Sequence, residues 1–164
     1  MLCQPMSVAF TKDGDHEAAA ANLPDRPISP HANLVTPQGL AQLEAAFALA
    51  KAAYSAAQAS GDVSEDRTAM ARATRDLRYY TARLASAQRI APVDAPDKVV
   101  FGCTVTIARE DGRTQTFRIV GEDEADPQAG SISYVSPMAR ALLGKDIGDE
   151  AQVAGATVEI TAIH

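Results

Sequence analysis

In two stretches of the chain, apolar residues recur at alternating intervals of three and four positions. This spacing is typical of a coiled coil, in which an apolar stripe on each helix packs against its partner. The first stripe is Leu40, Leu43, Phe47, Ala50, Tyr54 and Ala57, and the second is Met70, Ala73, Leu77, Tyr80, Leu84 and Ala87. We therefore expect residues 36–90 to form an antiparallel coiled-coil arm.

The two stripes match layer by layer if the chain reverses between Val63 and Ser64. Leu40 then faces Ala87, and four of the six layers set a large side chain against an alanine. Such pairs suit close packing of two helices. The reversal would give the arm a defined tip, whose sequence is Gly61-Asp62-Val63-Ser64-Glu65-Asp66.

Local signals predict where the arm helices begin and end. Thr36 and Pro37 supply an N-cap and a proline at the first helical position, so the first helix should run from there to about Ser60. The second should run from about Ser64 to Gln88. Its arginines off the apolar stripe form either a solvated face or a set of phosphate contacts. They are Arg72, Arg75, Arg78, Arg83 and Arg89.

Beyond Pro96 the period of the apolar positions changes to two, which is typical of β-strands. The predicted strands cover Val99 to Ile107, Thr114 to Val120, Ile132 to Val135, Val153, and Thr157 to Ile163. Between the third and fourth, Ser136-Pro137 repeats the helix-start signal and predicts a short helix from Met138 to Leu143. We expect residues 91–164 to form an α+β domain, an antiparallel sheet with one short helix.

Charge is unevenly distributed along the 164 residues. The net charge of -6 divides into -2 for residues 1–35, +2 for residues 36–90 and -6 for residues 91–164, where Gly121 to Pro127 form an acidic run that we interpret as a loop. An acidic chain is a poor general nucleic-acid coat. No long uncharged apolar run and no signal-peptide pattern occur, so we expect a cytoplasmic protein without membrane contact.

The first 35 residues and the two cysteines lead to two further predictions. Residues 1–35 lack apolar periodicity, so we expect a disordered or extended tail. If translation begins at Met6, Cys3 is absent and Cys103 has no disulfide partner. Cys103 lies on the inner face of its predicted strand, which indicates a buried structural thiol.

Four segments together resemble the Gre family of bacterial transcription elongation factors. They are Gly61 to Glu65 between the two helices, Val99 to Val105, Phe117 to Asp126, and Ser136 to Lys145. The resemblance implies an FKBP-like C-terminal domain that docks at the rim of the secondary channel of core RNA polymerase while the arm enters the channel. It also implies a monomer, with docking through Ser136, Pro137, Met138 and Arg140.

The same resemblance assigns the tip carboxylates Asp62 and Glu65 to the polymerase active centre, close to the 3′ end of the transcript. There they would help to hold magnesium, which prefers carboxylate oxygens and takes only one or two of them from protein. No cofactor is expected on the protein alone. It would not be an enzyme itself, because the polymerase cleaves its own backtracked transcript.

Three alternatives stay open. Asp62 and Glu65 are also spaced like a capping box, so they would stabilise the start of the second helix. Both helices are shorter than in the familiar cleavage factors by roughly one heptad, about 10 Å, which favours a regulator that occupies the channel without stimulating cleavage. An FKBP-like binding or prolyl-isomerase module is the third, although Phe101, Phe117 and Tyr134 are too few aromatics for a proline pocket.

Overall fold

A computed structural model of the chain describes residues 23–60 and 65–164. Two long helices form a helical hairpin, with α1 at Pro37–Ala59 and α2 at Glu65–Ser86. Both predicted arm helices are confirmed, and each end lies within two residues of its predicted position. Residues 61–64, which carry most of the predicted tip, lie outside the described residues.

Burial along the two helices follows the predicted apolar stripes. Leu43, Ala50 and Ala73 are buried, and the other nine stripe residues are half-buried. Ala50 of α1 and Tyr80 of α2 line the same groove, so the helices lie side by side at this level. The layer-by-layer pairing about the Val63–Ser64 bond stays a prediction.

Two short strands, β1 at Leu34–Val35 and β2 at Gln88–Arg89, lie before α1 and after α2. The C-terminal part of the chain is a five-stranded sheet whose strands are β3 at Thr104–Arg109, β4 at Thr114–Val120, β5 at Ser131–Ser133, β6 at Glu150–Val153 and β7 at Ala156–Ile163. Their order in the sheet is β5-β4-β3-β7-β6. All neighbouring strands are antiparallel except β4 and β5. The α+β class is confirmed, but the sheet is mixed. After β4, the acidic loop and a 3-10 helix at Pro127–Ala129 carry the chain back along β4, so that Ser131 pairs with Arg118. The next strand, β5, therefore runs parallel to β4.

The first predicted strand begins later than its apolar pattern indicates. Residues Val99 to Cys103 are not strand, because Gly102 adopts a left-handed conformation (φ 89°) that interrupts the extended backbone. Its amide nevertheless donates to the carbonyl of Ile119 at 2.8 Å. Val99 and Cys103 are buried as predicted, whereas Phe101 is half-buried and stacks edge-on against Tyr134.

An aliphatic core lies between the sheet and a short helix, α3 at Pro137–Leu142. Its fully buried members include Val105, Ile107, Ile119, Leu142 and Ile160. Cys103 belongs to the same core, and burial raises the pKa of its thiol. The prediction of a buried structural thiol is therefore confirmed.

By packing, the chain divides into two compact units. One consists of Ala45–Ala82 with the described residues before Ser29, and the other of Ser29–Glu44 with Arg83–His164. The second unit contains the sheet, and it also contains the start of α1 and the end of α2. Within the described residues, no helix has the length and apolarity needed to cross a membrane.

Candidate functional site

The predicted tip is the connection between the two helices. Because α1 ends at Ala59 and α2 begins at Glu65, Asp62 belongs to this connection and Glu65 to the first helical position. Asp62 and the side chain of Glu65 lie outside what the structure describes. Their assignment to magnesium and their assignment to helix capping therefore both stay predictions. Among the residues that are described, no group of three or more His, Cys, Asp or Glu side chains has the placement of a metal site.

The predicted docking residues surround the start of α3. Ser136 is its N-cap, accepting a hydrogen bond from the amide of Ala139 at 3.2 Å, so the predicted helix start is confirmed. Met138 is half-buried against the core, whereas Pro137 and Arg140 are exposed. Two of the four residues are thus exposed, and docking itself stays a prediction.

The most strongly organised polar site is the arm base, which we define as residues 32–39, Arg83 and the acidic loop of residues 121–126. Arg83 lies in the last turn of α2, and its side chain is only 2% exposed. Its Nε donates to Asp123 Oδ2 at 2.6 Å, and its Nη2 lies 3.9 Å from Glu122 Oε2. For Arg83, both the solvated face and the phosphate contact predicted from the sequence are wrong, because the acidic loop covers this side chain.

The start of α1 meets the same loop. The Thr36 hydroxyl donates to Glu124 Oε2 at 2.6 Å and accepts from the Gly39 amide at 2.9 Å. Arg118 holds the other side of this contact, donating to Gln38 at 2.9 Å and lying 3.6 Å from Glu124 Oε1. A Cβ on Gly39 would collide with the Glu124 carboxylate. The glycine in the first turn of α1 therefore makes room for the loop.

Backbone pairing joins the two helix ends to each other. Two short parallel strands, β1 at Leu34–Val35 and β2 at Gln88–Arg89, precede α1 and follow α2. The Asn33 side-chain amide donates to the carbonyl of Arg83 at 2.7 Å. Gly121 packs so closely on the carbonyl of Leu34 that a Cβ would not fit. Residues placed by sequence in an extended tail thus form part of the arm base.

Two buried side-chain oxygens at the arm base accept no hydrogen bond from the described residues, although one of them, Glu122 Oε2, lies in the ion pair with Arg83. Among the described residues, neither Asn33 Oδ1 nor Glu122 Oε2 has a hydrogen-bond partner. The site holds the Arg83 guanidinium against the carboxylates of Asp123 and Glu122.

The other arginines of α2 have different surroundings. Arg78 is exposed and lies 3.2 Å from Asp25, in the segment before the arm. In the same segment, the guanidinium of Arg26 lies 3.7 Å above the ring of Tyr79 and 3.6 Å from Asp76. Residues 23–28 therefore pack on the outer part of α2.

These features define an α+β protein in which the ends of a long helical hairpin are fixed to a mixed sheet by an acidic loop. A family model described as "Transcription elongation factor, GreA/GreB, C-term" matches residues 94–164. The transcription elongation factor GreA of Hyphomonas neptunium is 42% identical over 137 residues, covering 73% of this chain and 87% of that protein. GreA of Verminephrobacter eiseniae is 44% identical over 110 residues, covering 62% and 70%. The chain belongs to the GreA/GreB family of transcription elongation factors.

The family resemblance inferred from four sequence segments is thereby confirmed. Among solved structures, GreA factor homolog 1 (Gfh1) of Thermus thermophilus is similar with a TM-score of 0.38 and 19% identity, over 82% of this chain and 99% of that chain. Family membership depends on the sequence matches. They extend well beyond the matched C-terminal domain, since 73% of the chain exceeds residues 94–164.

Proposed function

We propose that this protein binds core RNA polymerase at the rim of its secondary channel and stimulates cleavage of backtracked transcripts. The observation that carries the proposal is the match to a named transcription elongation factor over 87% of that protein's length. The proposal also draws on the sequence, which has Asp62 between the two helices and Glu65 at the first position of α2.

Each part of the molecule has a role in this proposal. The sheet domain docks through the surface around Pro137 and Arg140, both of which are exposed. The arm enters the channel and presents Asp62 and Glu65, two carboxylates three positions apart, as ligands suited to a hard divalent cation. Magnesium bound there together with the polymerase would orient a water and stabilise charge on phosphate oxygens. The reacting bond and the remaining catalytic groups belong to the polymerase, so this protein is proposed to act as a stimulating factor.

A second candidate function is occupancy of the channel without cleavage. The lengths of the helices favour it, since α1 has 23 residues and α2 has 22. At 1.5 Å per residue these helices are about 35 Å and 33 Å long. A tip that stops short of the active centre would block the channel and leave the transcript intact.

Release of short RNA fragments from a purified, backtracked elongation complex distinguishes the two functions. We expect the natural protein to accelerate release, and Asp62→Asn with Glu65→Gln to abolish that acceleration while polymerase binding is retained. Both substitutions keep the size and much of the capping capacity of the side chains while removing their charge. Glu44→Gln, which removes an exposed charge on α1 away from the tip, is the matched control.

Two results would contradict the proposal. Cleavage that survives both tip substitutions would remove Asp62 and Glu65 from the mechanism. A natural protein that binds the complex and slows nucleotide addition, yet releases no RNA, would establish channel occupancy instead.

A further inference from the structure

Both arm helices are attached to three consecutive acidic residues of one loop. Glu122 and Asp123 face Arg83 at the end of α2, and Glu124 accepts from Thr36 at the start of α1. The side chains of Arg83 and Glu124 are 2% and 5% exposed, so one partner of each ionic contact is buried while Asp123 and Arg118 remain partly accessible to water. A single loop of the sheet domain therefore holds both ends of the hairpin.

The arm base leaves little space for the helix ends to move. The backbone amide of Gln88 donates to the backbone carbonyl of Asn33 at 2.8 Å, and that of Ile90 donates to the carbonyl of Val35 at 2.9 Å. Neither Gly39 nor Gly121 has room for a Cβ. Tilting α1 or α2 would break backbone hydrogen bonds or force atoms into the loop.

The chemistry of the Arg83–Asp123 ion pair suits it to fixing the direction of α2 more than to stabilising the fold. A buried ion pair usually adds little net stability compared with apolar packing of the same volume, because both charges lose their hydration. An arginine–carboxylate pair is strongly directional, however, since a guanidinium donates its hydrogen bonds along fixed axes.

The length of α2 makes the angle at its base important. Glu65 lies 18 residues before Arg83 in this helix, or about 27 Å at 1.5 Å per residue. A tilt of roughly 10° at Arg83 would move Glu65 by roughly 5 Å over that length. Reacting groups must be held to about 0.5 Å, so a small error at the base is large at the tip.

We propose that Arg83 and Asp123 are positioning residues that hold the arm at a single angle, so that docking of the sheet domain places the tip carboxylates. This inference depends on the proposed function for its role in cleavage. The restriction of the arm angle itself is a property of the free protein and is tested without polymerase.

The first experiment measures the arm angle directly. Spin labels are placed at Ala56→Cys on α1 and Thr114→Cys on β4, both exposed positions, in a Cys3→Ser background where Cys103 is buried. Pulsed electron spin resonance gives the distribution of distances between the labels. We expect at least a twofold broader distribution in Arg83→Lys, which keeps the charge but loses the guanidinium geometry. Arg78→Lys, the same change at an exposed arginine of α2, should leave the distribution unchanged.

The second experiment measures cleavage and binding on the same elongation complex. At saturating protein, Arg83→Lys should reduce the cleavage rate at least tenfold while its affinity for polymerase changes less than threefold. Gly121→Ala should have the same effect, because its Cβ displaces Leu34 and leaves the ion pair chemically intact. This second variant, with thermal unfolding of each protein, separates the positioning role from a folding defect.

The outcomes are distinguishable. An unchanged distance distribution in folded Arg83→Lys and Gly121→Ala overturns the inference, whatever the polymerase assay shows. A broader distribution with undiminished cleavage also overturns the positioning role. If the natural protein stimulates no cleavage but the distribution broadens, the proposed function fails while control of the arm angle is supported.

Discussion

Gly39 shows how a residue that weakens a helix locally can serve a contact made elsewhere. Glycine in a helix costs about 0.5–1 kcal/mol relative to alanine, because it loses more backbone freedom on folding. At this position the missing side chain leaves space for the Glu124 carboxylate. That carboxylate is held by Thr36 and Arg118 and cannot move without loss of a hydrogen bond. The cost in helix propensity is therefore offset by the contacts of Glu124 with Thr36 and Arg118.

Gly39→Ala should lower the free energy of unfolding by about 1 kcal/mol, although helix propensity alone predicts a gain of similar size. The lost Thr36–Glu124 contact reverses the sign. Urea unfolding followed by circular dichroism measures the difference, with Ser55→Ala at an exposed position of α1 as the control for propensity. A more stable Gly39→Ala protein would show that Glu124 moves aside freely.

At the scale of elements, the segment of residues 23–28 reinforces the outer part of α2. Arg26 contacts the Tyr79 ring at 3.7 Å and Asp76 at 3.6 Å, and Asp25 pairs with Arg78. A cation over an aromatic face contributes about 0.5–1 kcal/mol at an exposed site. The segment therefore adds a modest stabilising layer to a helix pair whose apolar stripes are rich in alanine.

Arg26→Ala should lower the melting temperature by a few degrees, through a loss of about 0.5–1 kcal/mol. Arg26→Lys should recover part of this loss, because it keeps a cation near the ring. The measurement is thermal unfolding with tyrosine near-UV circular dichroism, and Arg72→Ala, an exposed arginine on α2, is the control. An Arg26→Ala protein with the natural melting temperature and tyrosine signal would show that the segment contributes nothing.

Arm length is a second property of the elements. A matched seven-residue insertion after Ala50 and before Leu77 preserves the apolar stripes and lengthens the arm by about 10 Å. Under the proposed function the natural arm already reaches the active centre, so the longer arm should reduce both polymerase binding and cleavage. RNA release by both proteins on the same backtracked complex is the measurement. Stronger cleavage by the longer arm would instead support the short-armed channel occupant.

At the scale of the whole molecule, the proposed function gives docking to one surface and reach into the polymerase to another. Arg140 is exposed in the last turn of α3, in the segment that the family resemblance assigns to docking. The tip connection follows α1, more than seventy residues earlier in the chain. Changes at Arg140 should therefore alter affinity, and changes at the tip should alter catalysis in the complex.

Arg140→Glu should weaken binding to core polymerase at least tenfold, since reversing a charge at an interface introduces repulsion. Cleavage should be largely restored at high protein concentration. Competition against labelled natural protein gives the affinity. Arg113→Glu, the same change at an exposed arginine of the β3–β4 hairpin, is the control. Equal effects of the two substitutions would indicate a nonspecific electrostatic contribution.

How much of the fold was predictable depended on the distance over which each signal acts. The starts of α1 and α3 were predicted because Thr36-Pro37 and Ser136-Pro137 are local N-capping signals. The strand predicted from Val99 was too long, because apolar alternation continued through Gly102, where the backbone turns. Burial was predicted better than extended conformation, since Val99 and Cys103 remain in the core.

The sequence by itself determined the two helices, the apolar faces, the α+β class and the family, because each depends on residue order within a short window. Tertiary structure alone decided that Arg83 is buried, that β5 runs parallel to β4, and that the acidic loop holds both ends of the arm. Arg83 and Asp123 are 40 positions apart, and Thr36 and Glu124 are 88 apart. No periodicity links residues so distant, and an arginine off the apolar stripe has the same local pattern whether solvent or a carboxylate covers it.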